Sequence, residues 1–136
     1  MPRSIFVNLP VSDLERSQAF FAALGFSFNP QFTNEIGACM IIDSSSFVML
    51  VTKPFFQTFT PNPIADARAT TEVLVALSYD SKAEVMAMIE KAVSAGGNTY
   101  GDPKDHGFMY QHGFQDVDGH IWEVFWMNPD HVQPTA

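Results

Sequence analysis

The sequence has little positive charge and only one cysteine. It carries 7 Lys and Arg residues against 15 Asp and Glu residues, which gives a formal net charge of −8 over 136 residues. A chain this acidic, without a run of basic residues, lacks the electrostatic footprint of a protein that binds nucleic acid or an anionic membrane. Cys39 alone cannot form an intramolecular disulfide, and no Cys-x-x-Cys motif is present to build a thiolate zinc site or a dithiol redox centre within one chain.

Long apolar runs are also missing. No window approaches the roughly 18 apolar residues that a membrane-spanning helix needs, so we expect no membrane span. The opening stretch MPRSIFVNLPVSDLERS has no apolar core of a secretory signal. A hydrophobic content of 46% with 16% charged residues is typical of a globular protein. We therefore expect a cytoplasmic globular protein.

The same order of predicted elements occurs twice along the chain. In the first copy a strand over residues 5–11 precedes a helix that Ser12-Asp13 caps and Gly25 ends, followed by an extended segment and a hairpin. The second copy begins near Glu72 and repeats this order, with its hairpin turn at DVDG, residues 116–119. One βαβββ module is too small to close a core alone. The repeat therefore predicts an α+β fold of two tandem βαβββ modules, whose mixed sheets form a curved cleft with the helices outside.

The predicted modules form a single domain over residues 1–136. Module 1 covers about 4–52, module 2 about 71–128, and a linker about 53–70. The linker holds three Pro and three Phe residues and has no clear periodicity. Its aromatic content is compatible with a lid over a cavity and equally with a loop that wraps the back of a sheet.

Two stretches resemble the opening and closing motifs of the vicinal oxygen chelate superfamily. They are VSDLERSQAFFAALGF (Val11–Phe26) and FQDVDGHIWEVF (Phe114–Phe125). The superfamily includes glyoxalase I, extradiol dioxygenases, and fosfomycin and bleomycin resistance proteins. The resemblance covers nearly the whole chain and implies the duplicated fold and a homodimer, but a fold alone does not give the activity.

In metal-dependent members of the superfamily, the first and last strands of each module contribute four ligands to a divalent ion. The resemblance places these ligands at Glu123, Phe6, Leu50 and Leu74. Phe and Leu cannot ligate a metal, and a shift of two residues would offer only Asn8 and Glu72 instead. We therefore expect no metal cofactor. A divalent ion with Glu123 as a ligand remains the alternative.

The second hairpin predicts the surroundings of Glu123, a carboxylate in an apolar strand. If residues 116–119 form the turn, His112 lies directly opposite Glu123. The two residues would then form a proton-transfer pair, a substrate clamp or a structural ion pair. The same reasoning places Cys39 opposite Leu50 in the first hairpin, where we expect a buried and inert thiol. The other histidines are predicted to be surface residues, not ligands: His106, His120 and His131.

These observations predict a protein that binds a small organic molecule in an apolar cleft without the complete metal site. Glu123 and His112 are the candidate catalytic residues. The candidate ligand-binding residues are Tyr110, Phe108, Phe114, Phe6, Asn8, Leu50, Leu74 and Cys39. The alternative is a metalloenzyme that uses Glu123 and His112 and resembles lactoylglutathione lyase or a dioxygenase. A protein-interaction role is the third possibility, and no sequence feature favours it.

Overall fold

The chain divides into two compact units, and the boundary lies between Asp66 and Ala67. The computed structural model describes residues 3–131. The first unit contains β1 (Ile5–Val11), α1 (Leu14–Ala23), β2 (Ser27–Asn29), a 3-10 helix (Pro30–Phe32), β3 (Gly37–Asp43), β4 (Ser46–Thr52), α2 (Lys53–Phe56) and a second 3-10 helix (Gln57–Phe59). The second unit contains β5 (Leu74–Ser78), α3 (Lys82–Ser94), β6 (Asn98–Asp105), β7 (Met109–Gln115), β8 (Ile121–Met127) and a 3-10 helix (Pro129–His131).

Each unit folds around one four-stranded mixed sheet. The strand orders are β1-β4-β3-β2 and β5-β8-β7-β6. In both sheets the first strand pairs in parallel with the last strand of its own unit, and the other pairs are antiparallel. The predicted α+β class with two βαβββ modules is confirmed.

Both long helices begin where short polar residues allow a cap. The Asp13 carboxylate accepts a hydrogen bond from the Arg16 N–H at 3.1 Å, and the Ser81 hydroxyl accepts one from the Glu84 N–H at 3.1 Å. These bonds satisfy backbone donors that a helix start otherwise leaves unpaired. Each helix then buries an apolar stripe at helical spacing: Leu14, Phe20 and Phe21 in α1, and Val85, Met88, Ile89 and Ala92 in α3.

The core of each unit lies between its helix and one face of its sheet. Helix α1 packs against β3 and β4, and α3 packs against β6, β7 and β8. Because side chains alternate along a strand, only every second residue faces the helix. In the second sheet that helix side includes Phe114, Trp122 and Val124, none more than 1% exposed. The side away from α3 carries Glu123, and we call it the Glu123 face; its members are Leu74, Ala76, Ser78, Asn98, Tyr100, Lys104, Met109, Gln111, Gly113, Gln115, Ile121, Glu123, Phe125 and Met127.

The segment predicted as a linker contains local structure. Residues Lys53–Phe56 form α2, which packs against β1 and β4, and a 3-10 helix follows. The Phe59 ring contacts those of Phe55 and Phe56, with centroids 5.0 and 5.9 Å away. A helix this short has no periodic apolar stripe, so the sequence pattern did not indicate it. None of the helices within residues 3–131 is long and apolar enough to cross a membrane.

Candidate functional site

The turn between β7 and β8 is one residue longer than the sequence predicted. The Asp116 N–H donates to the His120 carbonyl at 3.0 Å, which closes the loop at residue 120. Inside it, the Asp116 carboxylate accepts hydrogen bonds from the N–H groups of Asp118 and His120 at 2.9 and 3.0 Å. An Asp side chain that binds the backbone two and four residues ahead stabilises such a turn. Gln115 therefore pairs with Ile121 and not with His120.

This extra turn residue separates the predicted catalytic pair. Glu123 lies opposite Gly113, and His112 lies opposite Val124. Residues directly opposite each other share a face, and a shift of one residue moves a side chain to the other face. His112 and Glu123 therefore lie on opposite sides of the sheet. The predicted His112–Glu123 pair is wrong, and with it the predicted proton-transfer centre.

His112 lies on the helix side, where it supports the edge strand. Its Nε2 atom is 3.0 Å from the Gly101 carbonyl oxygen, at the irregularity in β6. A carbonyl can only accept, so Nε2 donates the hydrogen of this bond. Tyr110 and Phe114 share this side and are 8% and 1% exposed. They pack between the sheet and α3 and do not line an accessible surface, which corrects their predicted role in ligand binding.

The first hairpin also differs from its prediction. A bulge in β3 between Ile41 and Asp43 shifts the register, and Cys39 lies opposite Met49 instead of Leu50. Leu50 is completely buried on the α1 side, so it is a core residue and not a pocket residue. Cys39 lies on the other side but is only 1% exposed. Burial raises the pKa of the Cys39 thiol, which keeps it in the unreactive protonated form.

Three of the remaining candidates lie at accessible positions within their own units. Phe6 is 50% exposed and stacks on Phe47 with ring centroids 4.7 Å apart. Asn8 is exposed on the same side of β1, and Leu74 is 51% exposed on the Glu123 face.

Phe108 and the other histidines lie in three different settings. Phe108 precedes β7 and is exposed, and the centroid of its ring lies 6.1 Å from the centroid of the His106 ring. His106 is exposed as predicted, whereas His120 is buried within the β7–β8 turn, so its predicted surface position is wrong. The His131 side chain lies outside the described residues.

Glu123 is half-buried at the centre of the Glu123 face. Its lateral neighbours are Ala76 on β5 and Gly113 on β7, the two smallest residue types. Ile121 and Phe125 precede and follow it on the same face of β8. Among residues 3–131 the Glu123 carboxylate forms no hydrogen bond and no ion pair. The site is thus an unpartnered carboxylate in mainly apolar surroundings.

The corresponding positions in the two units do not supply the ligands of the superfamily's metal site. Asn8 and Ala76 each lie five residues before a helix cap and pair with Met49 and Glu123 on the last strands. These four positions offer an amide, a thioether, a methyl group and one carboxylate, whereas divalent ions need several oxygen or nitrogen ligands. Within the described part of the chain, no group of three His, Cys, Asp or Glu residues could hold a metal. Met49 and Ala76 were missed because both require the correct strand register.

Known proteins match this chain in sequence and in structure. The family model for the bleomycin resistance protein-like N-terminal module matches residues 3–43. Hypothetical protein SA1046 from S. aureus has 30% sequence identity to this chain. Its structure matches with a TM-score of 0.78 over 93% of this chain and 95% of that one. A glyoxalase-related enzyme from Fulvimarina pelagi is 21% identical, with a TM-score of 0.77 over 93% and 88% of the two chains. The chain has the vicinal oxygen chelate fold, and its first module resembles the bleomycin resistance protein-like family.

This fold and the family-model match confirm the resemblance seen in the sequence motifs. The fosfomycin resistance protein FosX from Mesorhizobium loti shares the fold at 15% identity, with a TM-score of 0.66 over 95% of this chain and 94% of that one. A comparison with curated protein sequences finds no match. The superfamily hosts several chemistries, so the function has to be argued from the site itself.

Proposed function

We propose that this vicinal oxygen chelate protein binds a small organic molecule on the Glu123 face of its second unit, without the superfamily's four-ligand metal site. The observation that carries the proposal is the half-buried Glu123 carboxylate, which has no partner among the described residues. A carboxylate that loses water without gaining a hydrogen bond is costly. A bound ligand that donates to Glu123 removes this cost.

The surroundings of Glu123 support a ligand with an apolar body. Leu74 and Ala76 are exposed on β5 beside the carboxylate, and Ser78 adds one exposed hydroxyl. Small-molecule sites are mainly apolar and contain a few polar groups that orient the ligand. The bleomycin resistance-like N-terminal module and the FosX fold give further support, because both names refer to resistance against small-molecule antibiotics.

The enzyme alternative lacks the acid–base pair that it needs. It required Glu123 and His112 on one face, and they lie on opposite faces of the second sheet. It also required a metal site, and the resemblance places Phe6, Leu50 and Leu74 at three of its four ligand positions. The homodimer and the cytoplasmic location remain predictions.

A thermal-shift screen of small aromatic and alicyclic compounds tests the proposal on the full-length protein. We expect stabilising compounds to lose their effect in Glu123→Ala. They should keep it in Glu90→Ala, which removes the same type of side chain from an exposed position of α3. If Glu123→Ala leaves the affinity of every identified ligand unchanged, the assignment of the site is wrong.

Metal analysis of the purified protein tests the second part of the proposal. The donor set predicts less than stoichiometric Ni, Zn, Mn and Fe in the wild-type protein. A stoichiometric metal ion that is lost in Glu123→Ala but retained in Glu90→Ala would overturn the metal-free assignment.

A further inference from the structure

We infer that the ligand is an organic cation: a protonated amine donates to the Glu123 carboxylate while its apolar body lies over Ala76 and against Leu74. This inference rests on the proposed function and specifies its ligand class. It uses residues of the second unit only. Charge complementarity and the shape of the Glu123 face carry it.

The positive side chains of the second unit are engaged elsewhere or lie too far from Glu123. Lys82 Nζ is 2.7 Å from Asp105 Oδ2, and Arg68 Nη2 donates to the Val117 carbonyl at 2.6 Å. Lys91 lies in the last turn of α3.

Lys104 is the cation that shares the Glu123 face. It pairs with Gln111 on β7, so its strand, β6, is two strands away from β8. Neighbouring strands lie about 4.8 Å apart, so β6 and β8 are separated by about 10 Å. Within the second unit, no described cation therefore lies beside Glu123. The net charge of −8 adds a general attraction for cations.

The neighbours of Glu123 leave its carboxylate accessible to a ligand. Ala76 and Gly113 flank it across the sheet and carry no side chain long enough to reach it. Gly113 cannot readily be larger, because a Cβ atom there would lie 3.0 Å from the Tyr100 carbonyl oxygen. The diagonal neighbours on β7 are Gln111 and Gln115, whose neutral amides cannot balance a negative charge.

An ammonium group suits this site better than a neutral donor or a metal ion. An apolar ligand body that covers Glu123 removes water from a charge, and this is costly unless an opposite charge replaces the water. Hydrogen bonds between charged groups are roughly twice as strong as those between neutral groups. A divalent ion needs several oxygen ligands, and the Glu123 face supplies a single carboxylate.

Ala76 is the residue that sets the room for the ligand body. It is exposed and lies between Leu74 and Ser78 on the edge strand β5, directly beside Glu123. Its side chain is a single methyl group, which leaves space for a ligand above this position of β5. A leucine side chain at position 76 would occupy the space that the ligand body needs.

Isothermal titration of the full-length protein with matched compounds tests the inference. The series are benzylamine, benzyl alcohol and benzoate, and cyclohexylmethylamine, cyclohexylmethanol and cyclohexanecarboxylate. We expect at least one amine to bind about tenfold tighter than its alcohol, and the carboxylate to bind weakest. Glu123→Gln keeps the shape and removes the charge, so it should abolish the preference for the amine. The matched Glu90→Gln variant should retain it, and Ala76→Leu should weaken amine and alcohol alike.

The outcomes separate this inference from the proposed function. If neutral compounds bind through Glu123 and amines bind no tighter, the cation assignment fails and the binding function stands. An amine preference that persists in Glu123→Gln also overturns the cation assignment. If no compound of these series or of the screen binds, both proposals fail. Melting temperatures of the variants, measured without ligand, show that they are folded.

Discussion

Two acidic residues in one short stretch have opposite environments. Asp116 is 3% exposed, and its carboxylate accepts from the N–H groups of Asp118 and His120 and from Trp122 Nε1 at 2.9 Å. Glu123 is half-buried and has no such donor within residues 3–131. Buried polar groups with complete hydrogen bonding hold a structure together, whereas an unpartnered charge at a surface is available to a ligand. Asp116 is therefore structural, and Glu123 is the candidate for binding.

The pH dependence of stability should reveal the burial of Asp116. Burial is the largest effect on this carboxyl group and raises its pKa above 3.8, against the opposing effects of His120 and the hydrogen bonds. The folded protein then binds this proton more tightly than the unfolded chain does. Its stabilising contribution is present below the ordinary pKa and is lost as the pH rises through the folded pKa.

We therefore expect the free energy of unfolding of the wild-type protein, relative to Asp116→Asn, to decrease as the pH rises from about 4 to about 8. Urea denaturation followed by tryptophan fluorescence measures this difference. A constant dependence on urea concentration at each pH shows that the same transition is compared. A wild-type advantage that grows with pH would contradict the raised pKa.

At the scale of elements, strand register decides which side chains reach the Glu123 face. The β7–β8 turn contains His120 because the Asp116 carboxylate accepts a hydrogen bond from the His120 N–H group. The bulge in β3 makes Met49 the cross-strand partner of Cys39. Helix starts are different, since Asp13 and Ser81 bind backbone groups only three residues ahead. Such local bonds can be predicted from adjacent residues, whereas a hairpin register depends on how the whole turn closes.

Engineered disulfides should test the β7–β8 register. In a Cys39→Ala background, His112→Cys with Val124→Cys should form an intramolecular disulfide on oxidation. These positions lie directly opposite each other, where Cα atoms are about 4.5–5.5 Å apart. Free-thiol titration and intact mass under non-reducing conditions measure the bond.

The matched control combines His112→Cys with Glu123→Cys. These two side chains point to opposite faces of the sheet, so this variant should retain its free thiols. If the control pair forms a disulfide and the first pair does not, the register predicted from the sequence is correct and the observed one is wrong.

At the scale of the whole molecule, the fold and the charge have different consequences. The repeated βαβββ order gives two four-stranded sheets and the vicinal oxygen chelate fold. The excess of 15 acidic over 7 basic residues gives the chain a field that attracts cations and repels anions. The fold therefore presents the Glu123 face, and the net charge favours the amine ligand that we infer for it.

Salt should weaken the binding of amines more than that of alcohols. Raising the NaCl concentration from about 0.02 M to about 0.5 M shortens the Debye length from about 20 Å to about 4 Å. We expect the affinity for the preferred amine to fall severalfold because the attraction of the net charge is screened. Titration calorimetry at both salt concentrations measures the change, and the matched neutral alcohol is the control. Equal salt effects on the two compounds would show that the net charge does not contribute to recognition.

The sequence by itself determined the two long helices and their caps, the main strands, the duplication and the resemblance to the superfamily. These features depend on apolar spacing and on bonds between residues close in the chain, as at Asp13 and Ser81. It also identified Glu123 as an unusual charge in an apolar strand. The predicted neighbours of Glu123 on the opposite strand, β7, were wrong, because they were counted from a turn taken to be four residues long.

Only the tertiary structure decided which residues share a face with Glu123. The Asp116 carboxylate adds His120 to the turn, and this single residue moves His112 to the helix side and brings Gly113 opposite Glu123. The bulge in β3 likewise makes Met49, not Leu50, the partner of Cys39. Side chains alternate with a period of two, so an error of one residue in a turn reverses every assignment along the strand. The candidate site therefore depends on a hydrogen bond to one backbone N–H group that the sequence pattern does not reveal.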